Sequence, residues 1–270
     1  MHSYALPALY AIFVWWLSTG IVLYLDGLPS RTFRWSLLGA SGLLIAALYG
    51  LQASAADASV TGAYMAFTCA LAAWSWLELS FYLGLVTGPR TQVCQAGCAG
   101  WRHFGHAVQA SLYHELASVA LAAAVCAIAW NQPNQLGMWT FVALWGLHQS
   151  ARLNVFLGVR NLNPEWLPEH LHFLRSFLTR RPMNWLFPFS ITLSTAAATF
   201  LIAKAVATQT DAGQAVGLVL LATLMILGIL EHCFLMLPLP IAALWNWWLR
   251  WRGPRRPFEI EDGCGLSRDG

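Results

Sequence analysis

Six ionisable side chains lie inside long apolar stretches of this sequence. They are Glu78, His114, Glu115, His148, Glu231 and His232. A charged group at membrane depth is costly unless it is paired or bound to a ligand, so such residues are candidates for function. Carboxylates and imidazoles together are suitable ligands for iron, manganese and zinc. We therefore take this Glu/His set as the candidate functional site.

Continuous apolar runs contain these side chains and have the length of membrane helices. A bilayer core about 30 Å thick needs about 20 apolar residues of helix. The windows of this kind are Leu6–Leu25, Trp35–Leu51, Gly62–Val86, Ala107–Trp130, Leu136–Gly158, Leu186–Ala205 and Ala215–Leu237. None shows the alternating pattern of a β-barrel strand. The sequence therefore predicts an all-α polytopic membrane protein with about seven transmembrane helices.

The composition supports this class and excludes others. Hydrophobic residues make up 58% of the 270-residue chain and charged residues 10%, whereas about 25% of an average soluble domain is charged. This excludes a soluble globular fold, and it excludes intrinsic disorder, which needs low hydrophobicity and high charge. The net charge is only +3, without the clustered basic stripe of a nucleic-acid-binding protein. Nucleic acid is therefore not an expected partner.

Arginines are concentrated in alternate connections between the predicted helices and in the C-terminal tail. They are Arg31, Arg34, Arg90, Arg102, Arg160, Arg175, Arg180, Arg181, Arg250, Arg252, Arg255, Arg256 and Arg268. Arg152 lies toward the same face, and Lys204 alone lies toward the opposite one. Because cytoplasmic connections retain positive charge, this pattern places the N-terminus outside and the C-terminus in the cytoplasm.

We interpret residues 1–252 as a single transmembrane helical bundle. Leu171, Leu174 and Leu178 recur at helical spacing beside Arg175, which predicts an amphipathic helix near residues 166–179 at the cytoplasmic surface. The tryptophan-rich stretch 241–252 is typical of an interfacial anchor. Residues 253–270 are expected to form a flexible cytoplasmic tail.

The ionisable residues are expected at similar depths in the membrane. At a rise of 1.5 Å per residue, Glu78 and Glu115 lie about 12 Å from the cytoplasmic ends of their helices, His148 about 15 Å and Glu231 about 9 Å. Ligands at one height on facing helices are what a metal site in a bundle requires. The candidate ligands for a di-iron or other transition-metal site are Glu78, Glu115, His148, Glu231 and His232. The chain lacks the Glu-x-x-His motif of known di-iron bundles.

Two other interpretations of the intramembrane polar cluster remain open. A histidine there is also a suitable axial ligand for haem iron or for the magnesium of another tetrapyrrole. It could equally contact a quinone. In the other interpretation the carboxylates are protonated and hydrogen-bonded, and they serve only to fix helix packing. Arg152 and Asn154 lie one or two turns beyond His148, and Arg152 is a candidate partner for Glu78 or Glu231.

Two cysteines and two histidines precede the fourth predicted helix. Cys94 and Cys98 form a Cys-x3-Cys loop without a second cysteine pair nearby, which favours a structural role over a metal site. His103 and His106 share a helix face with His114. At the cytoplasmic boundary we expect them to be solvated, because polar groups cost little there.

Several motifs together resemble the PuhE family of photosynthetic complex assembly proteins. They are Tyr113–Ala117, Arg152–Leu162, Leu230–His232 continuing into Leu237–Pro240, Leu167–Leu171 and Arg181–Asn184. The resemblance extends from about Glu78 through the Trp-rich segment. Members belong to purple phototrophic bacteria and are typically encoded near the reaction-centre H subunit.

The resemblance implies a multi-pass protein of the bacterial cytoplasmic or intracytoplasmic membrane. It implies a role in assembling or maintaining the reaction-centre/light-harvesting 1 complex, whose subunits become the expected partners beside lipid, with bacteriochlorophyll as a candidate ligand. It supplies no catalytic residues. The alternative is a membrane di-metal oxidase or oxygenase that acts on a tetrapyrrole, carotenoid or quinone through the Glu/His cluster.

Overall fold

The computed structural model describes residues 4–95, 97–162, 167–207 and 211–237, and these residues form helices joined by short connections. The long helices of this part of the chain are α1 (Ala5–Asp26), α2 (Phe33–Ser54), α3 (Val60–Tyr82), α4 (Gly100–Ala129), α5 (Leu136–Leu157), α6 (Leu186–Val206) and α7 (Ala212–Met236). Two 3₁₀ segments, Ser30–Thr32 and Glu169–Phe177, precede α2 and α6. The expected all-α fold is confirmed.

Six of these helices, all except α5, are long and apolar enough to cross a membrane. Helix α5 has 22 residues, but His148, Gln149 and Arg152 in its second half make it less hydrophobic. It packs against α3, α4, α6 and α7, so its polar groups meet other helices, as is usual for ionisable residues at membrane depth. The chain is a polytopic membrane protein, and the predicted span α5 packs against four other helices.

The connections lie alternately at two ends of the bundle. At one end, the Asn134 side chain in the α4–α5 connection donates hydrogen bonds to the carbonyls of Ser54 and Asp57, 3.0 and 2.9 Å away, in the α2–α3 connection. At the other end, His170 Nε2 lies 2.8 Å from the carbonyl oxygen of Tyr82, where α3 ends. Helix α5 therefore runs from one end to the other like its neighbours, and the connections that carry arginine share one end.

Side-chain oxygens cap the starts of several of the described helices. Ser59 accepts a hydrogen bond from the N–H of Gly62 at the start of α3, and Asp211 accepts two at the start of α7. The side-chain oxygen Oδ1 of Asn184 accepts hydrogen bonds from the N–H groups of Leu186 and Phe187 at the start of α6. These contacts satisfy N–H groups that a helix terminus leaves without partners.

Small residues bring the central helices close together. On α3, Ala63, Ala66, Ala70 and Ala73 are all buried, and small residues on one face allow close helix packing in membranes. On α7, a Cβ added to Gly228 would lie 2.5 Å from the Leu147 side chain of α5. The absence of a side chain at Gly228 therefore lets α5 approach α7 one residue before His148.

The predicted amphipathic segment differs from the expected surface helix. Glu169–Phe177 is a 3₁₀ segment, and Leu171, Phe173 and Phe177 are buried against Ala110 of α4. Its apolar side chains therefore cover the Arg-bearing end of the bundle. Residue 166 of the predicted 166–179 helix, the Trp-rich stretch 241–252 and the tail 253–270 lie outside the described residues.

Candidate functional site

A cavity of about 490 Å³ lies between α1, α3, α4, α5 and α7, and the 3₁₀ segment Glu169–Phe177 contributes to its wall. This volume is within the range of about 300–1,000 Å³ that small-molecule sites occupy. Its wall is mostly apolar, and the polar residues among its lining include Glu78, His114, His148, Arg152 and Glu231. Five of the predicted site residues thus line one cavity.

Glu78, His114 and His148 converge from α3, α4 and α5. One ligand atom from each lies within 4.8 Å of the other two, and Glu78 Oε1 is 3.3 Å from His148 Nδ1. The two imidazole rings are 5.6 Å apart between centroids. Two histidines and one carboxylate are the ligand set of mononuclear non-haem iron sites. The set also suits a single zinc ion with an open coordination position.

His114 is buried and has no hydrogen-bond partner for its ring among the described residues. The residue is 1% exposed, and neither Nδ1 nor Nε2 forms a hydrogen bond in this part of the chain. A buried polar group without a partner costs about 1–3 kcal/mol. The Phe81 ring packs on one side at 4.9 Å between centroids. His114 therefore places an imidazole without a hydrogen-bond partner among the described residues in the wall of the cavity.

The α3–α4 connection folds back against α4 beside His114. The backbone N–H of His114 donates to the carbonyl of Thr87, 3.0 Å away. A Cβ added to Gly88 would lie 2.0 Å from the carbonyl oxygen of Gln109, so only glycine permits this approach. The connection thereby fixes the position of His114 from outside its own helix.

Glu115 points away from His114, because adjacent helical residues differ by about 100° around the axis. It forms an ion pair with Arg152 and accepts a hydrogen bond from Gln149, both on α5. Arg152 also donates to Ser111 of α4. The partner of Arg152 is therefore Glu115, in place of the Glu78 or Glu231 suggested by the sequence.

His232 and Asn154 belong to a hydrogen-bonded network between α5, α6 and α7. His232 Nδ1 lies 2.8 Å from the carbonyl oxygen of Gly228, and Nε2 lies 2.9 Å from Ser150 Oγ. The Asn154 amide donates to the Ser150 carbonyl and to Ser190 Oγ. Both ring nitrogens of His232 are thus occupied, whereas those of His114 are not.

Glu231 lies one residue before His232 but faces elsewhere. It lines the cavity and is exposed, so the cavity reaches the surface of the helix bundle beside it. Of the five residues expected to bind metal, Glu78 and His148 are brought together with His114. Glu115, Glu231 and His232 are not part of that group.

The structure also brings together Cys94, Cys98 and His106, whose ligand atoms lie within 4.8 Å of one another. Sequence reasoning treated the cysteine loop and the histidines separately. The sequence feature that could have indicated this group is the Cys-x3-Cys spacing followed shortly by two histidines. Desolvation raises the pKa of the Cys94 thiol above its usual range, and a hydrogen bond with Cys98 raises it further.

Comparison with known proteins gives the family. The family described as "Protein of unknown function (DUF3623)" matches residues 1–256. The chain belongs to the DUF3623 family. This DUF3623 protein is 39% identical over 253 residues to the "Uncharacterized 30.4 kDa protein in puhA 5'region" of Rhodobacter capsulatus, with 92% of each chain covered. No solved structure matches it significantly. It is therefore a multi-pass membrane protein homologous to one encoded beside puhA in a phototroph.

Proposed function

We propose that this DUF3623 protein helps to assemble or maintain the photosynthetic reaction-centre/light-harvesting 1 complex. Its partners are the subunits of that complex, in the cytoplasmic or intracytoplasmic membrane of a phototrophic bacterium. The motifs shared with the PuhE family support this role. The relative encoded in the puhA 5′ region of Rhodobacter capsulatus, 39% identical to this chain, supports it independently.

The single observation that carries the proposed chemistry is the free imidazole of His114. It is 1% exposed, lines the cavity and has no partner for either nitrogen among the described residues. A histidine of this kind is an axial ligand for a tetrapyrrole metal. The apolar wall, including Trp74, Phe81 and Leu147, suits an apolar macrocycle. The cavity would therefore hold bacteriochlorophyll through its magnesium during assembly of the complex, with the Glu78 and His148 side chains moved away from His114.

Three outer helices provide faces for lipid and partner helices. Within the apolar windows of α1 and α2 only 17% of residues are buried, and within that of α6 only 11%, whereas α3 and α7 reach 50%. Lipid or the helices of another membrane protein must cover such apolar surface. These exposed faces are therefore where reaction-centre or light-harvesting 1 helices would pack.

The experiment that tests the role is a deletion in the phototroph that carries this gene. We expect the deletion strain to accumulate less core complex, measured by membrane absorbance, and the wild-type gene to restore it. A His114→Leu gene should fail to restore it although the protein accumulates. The control is His172→Gln, because His172 does not line the cavity. Normal amounts of core complex in the deletion strain would refute the role.

A second candidate function rests on a different observation. Glu78 and His148 adjoin His114 closely, so a macrocycle can reach His114 only if they move, whereas a single ion can bind all three in place. A site with two histidines and one carboxylate is typical of iron-dependent oxygenases. This second candidate is a membrane oxidase or oxygenase with one metal ion, acting on a tetrapyrrole, carotenoid or quinone.

Metal analysis separates the two candidates. The enzyme predicts about one equivalent of iron, manganese or zinc at this site, lost in Glu78→Gln and kept in Glu115→Gln, because Glu115 is outside the group of ligands. The pigment-binding factor predicts a tetrapyrrole spectrum that disappears in His114→Leu. If the metal content of Glu78→Gln is lower than that of the wild type by less than about a tenth of an equivalent, the enzyme is excluded.

A further inference from the structure

Four potential metal ligands lie at the Arg-bearing end of the bundle, outside the residues that line the cavity. Cys94 and Cys98 are in the α3–α4 connection, and His103 and His106 are in the first two turns of α4. The two histidines are three residues apart, so they lie on one helix face. The two cysteines have three residues between them, within the spacing of two to four that is typical of zinc sites.

Three of the distances between these side chains are close to the edges of a coordination tetrahedron, and Cys94, Cys98 and His106 form a compact group with ligand atoms all within 4.8 Å of one another. His106 Nδ1 lies 3.4 Å from the sulfurs of both Cys94 and Cys98, and His103 Nδ1 lies 3.3 Å from Cys94 Sγ. With Zn–S and Zn–N bonds of about 2.3 and 2.05 Å, a tetrahedral site places sulfur and nitrogen about 3.6 Å apart. A zinc ion therefore needs only a small adjustment of Cys94, Cys98 and His106, and His103, already close to Cys94, completes the site by moving toward the other two ligands.

The chain holds this arrangement through contacts that do not depend on a metal. Gly97 and Gly100 adopt positive φ angles of 80° and 62°, a conformation that favours glycine and that turns the connection back to α4. The Cys94 N–H donates to Ser176 Oγ, 3.0 Å away. Phe156 and Phe177 pack on the His103 ring at 5.5 and 5.4 Å between centroids. The ligands are thus positioned in advance.

We propose that Cys94, Cys98, His103 and His106 bind a zinc ion. Two thiolates and two imidazoles select zinc over magnesium or calcium, which prefer oxygen ligands. Four protein ligands close the coordination sphere, so the site is structural and not catalytic. Under the predicted orientation the cysteines face the reducing cytoplasm, where metal binding is favoured over a disulfide.

The zinc site would fix the α3–α4 connection against the segment that covers the cavity. Ser176 and Phe177, which contact Cys94 and His103, belong to the 3₁₀ segment Glu169–Phe177, and Phe177 also lines the cavity. The ion therefore stabilises the cytoplasmic side of the cavity whatever the cavity contains. The inference does not depend on the proposed function.

Cobalt substitution of the full-length protein tests the site. The protein is purified in detergent under reducing conditions with an affinity tag that contains no histidine, stripped with a chelator and titrated with Co²⁺. We expect a thiolate-to-cobalt charge-transfer band with the visible bands of a tetrahedral site, saturating at about one equivalent and displaced by zinc. Because the cavity group contains no cysteine, it cannot give the charge-transfer band.

The variants distinguish this site from other metal ligands. Cys98→Ala should weaken cobalt binding by more than about tenfold, since loss of even an outer-shell partner costs about 10–100-fold. Cys126→Ala on α4 is the matched cysteine control, and His114→Leu tests independence from the cavity; both should keep the band. The proposal is wrong if reduced wild-type protein gives no such band, if Cys98→Ala binds cobalt as tightly as the wild type, or if cells contain a Cys94–Cys98 disulfide.

Discussion

The ion pair between Arg152 and Glu115 joins α5 to α4 beside the cavity, and its removal tests the described packing directly. In Arg152→Met, Glu115 keeps only its hydrogen bond from Gln149, and Ser111 loses its donor. In Glu115→Gln, the arginine charge stays within the bundle without its ion-pair partner. Each single variant therefore leaves one charge without its partner, whereas the double variant removes both charges.

The expected magnitude follows from the burial of the pair. Breaking a fully buried ion pair by removing one partner costs about 3–5 kcal/mol. The Arg152 and Glu115 side chains are 32% and 24% exposed. We therefore expect each single variant to lower the unfolding free energy by about 2 kcal/mol. The double variant should also lose about 2 kcal/mol, which gives a coupling energy of about 2 kcal/mol.

The assay is reversible unfolding in mixed detergent micelles, followed by tryptophan fluorescence for all four members of the cycle. Arg160→Met is the matched control, because Arg160 is exposed and should change the unfolding free energy by less than about 0.5 kcal/mol. Additive effects of the two substitutions, within about 0.5 kcal/mol, would refute the pairing.

Two further predictions concern packing and capping. Gly228→Ala should destabilise the protein by about 1–3 kcal/mol, because the new Cβ would lie 2.5 Å from the Leu147 side chain. The control Gly146→Ala should not destabilise it, because nothing lies within 4 Å of the added Cβ. Equal unfolding curves for the two variants would contradict the close approach of α5 and α7. Asn184→Ala removes the cap of α6 and the amide bonds to the Asn154 and Gly158 carbonyls, so we expect a loss of about 2–3 kcal/mol in the same assay. Asn184→Asp keeps the capping oxygen but turns an acceptor toward the Asn154 and Gly158 carbonyls, so it should not recover this loss. An Asn184→Ala protein as stable as the wild type would contradict the role of Asn184.

Hydropathy predicted the helices well and their ends less well. The window Ala107–Trp130 omitted the first two turns of α4, which begins at Gly100, because His103 and His106 lower the local hydropathy. The window Gly62–Val86 extended past the end of α3 at Tyr82, because Leu85 and Val86 are apolar although they belong to the connection. Apolar length reports burial in a bilayer, but local backbone geometry decides where a helix ends.

The sequence predicted two of the three residues of the Glu/His group as ligands, Glu78 and His148, but not the third, His114. Rise per residue gave the common level of Glu78, Glu115 and His148. It does not give the rotation of each helix about its axis, and that rotation turns His114 toward the cavity and Glu115 toward Arg152. The Cys/His group was missed for a related reason, because only the folded connection brings Cys94 and Cys98 onto the histidine face of α4.

The measurement that tests the central claim most directly is the absorbance spectrum of the protein purified from its phototrophic host, with metal content determined on the same sample. The account predicts bound bacteriochlorophyll in the wild type and its loss in His114→Leu, with His172→Gln unchanged. A wild-type protein without tetrapyrrole absorbance, or a His114→Leu protein that keeps it, would contradict the assignment of this cavity as a pigment site.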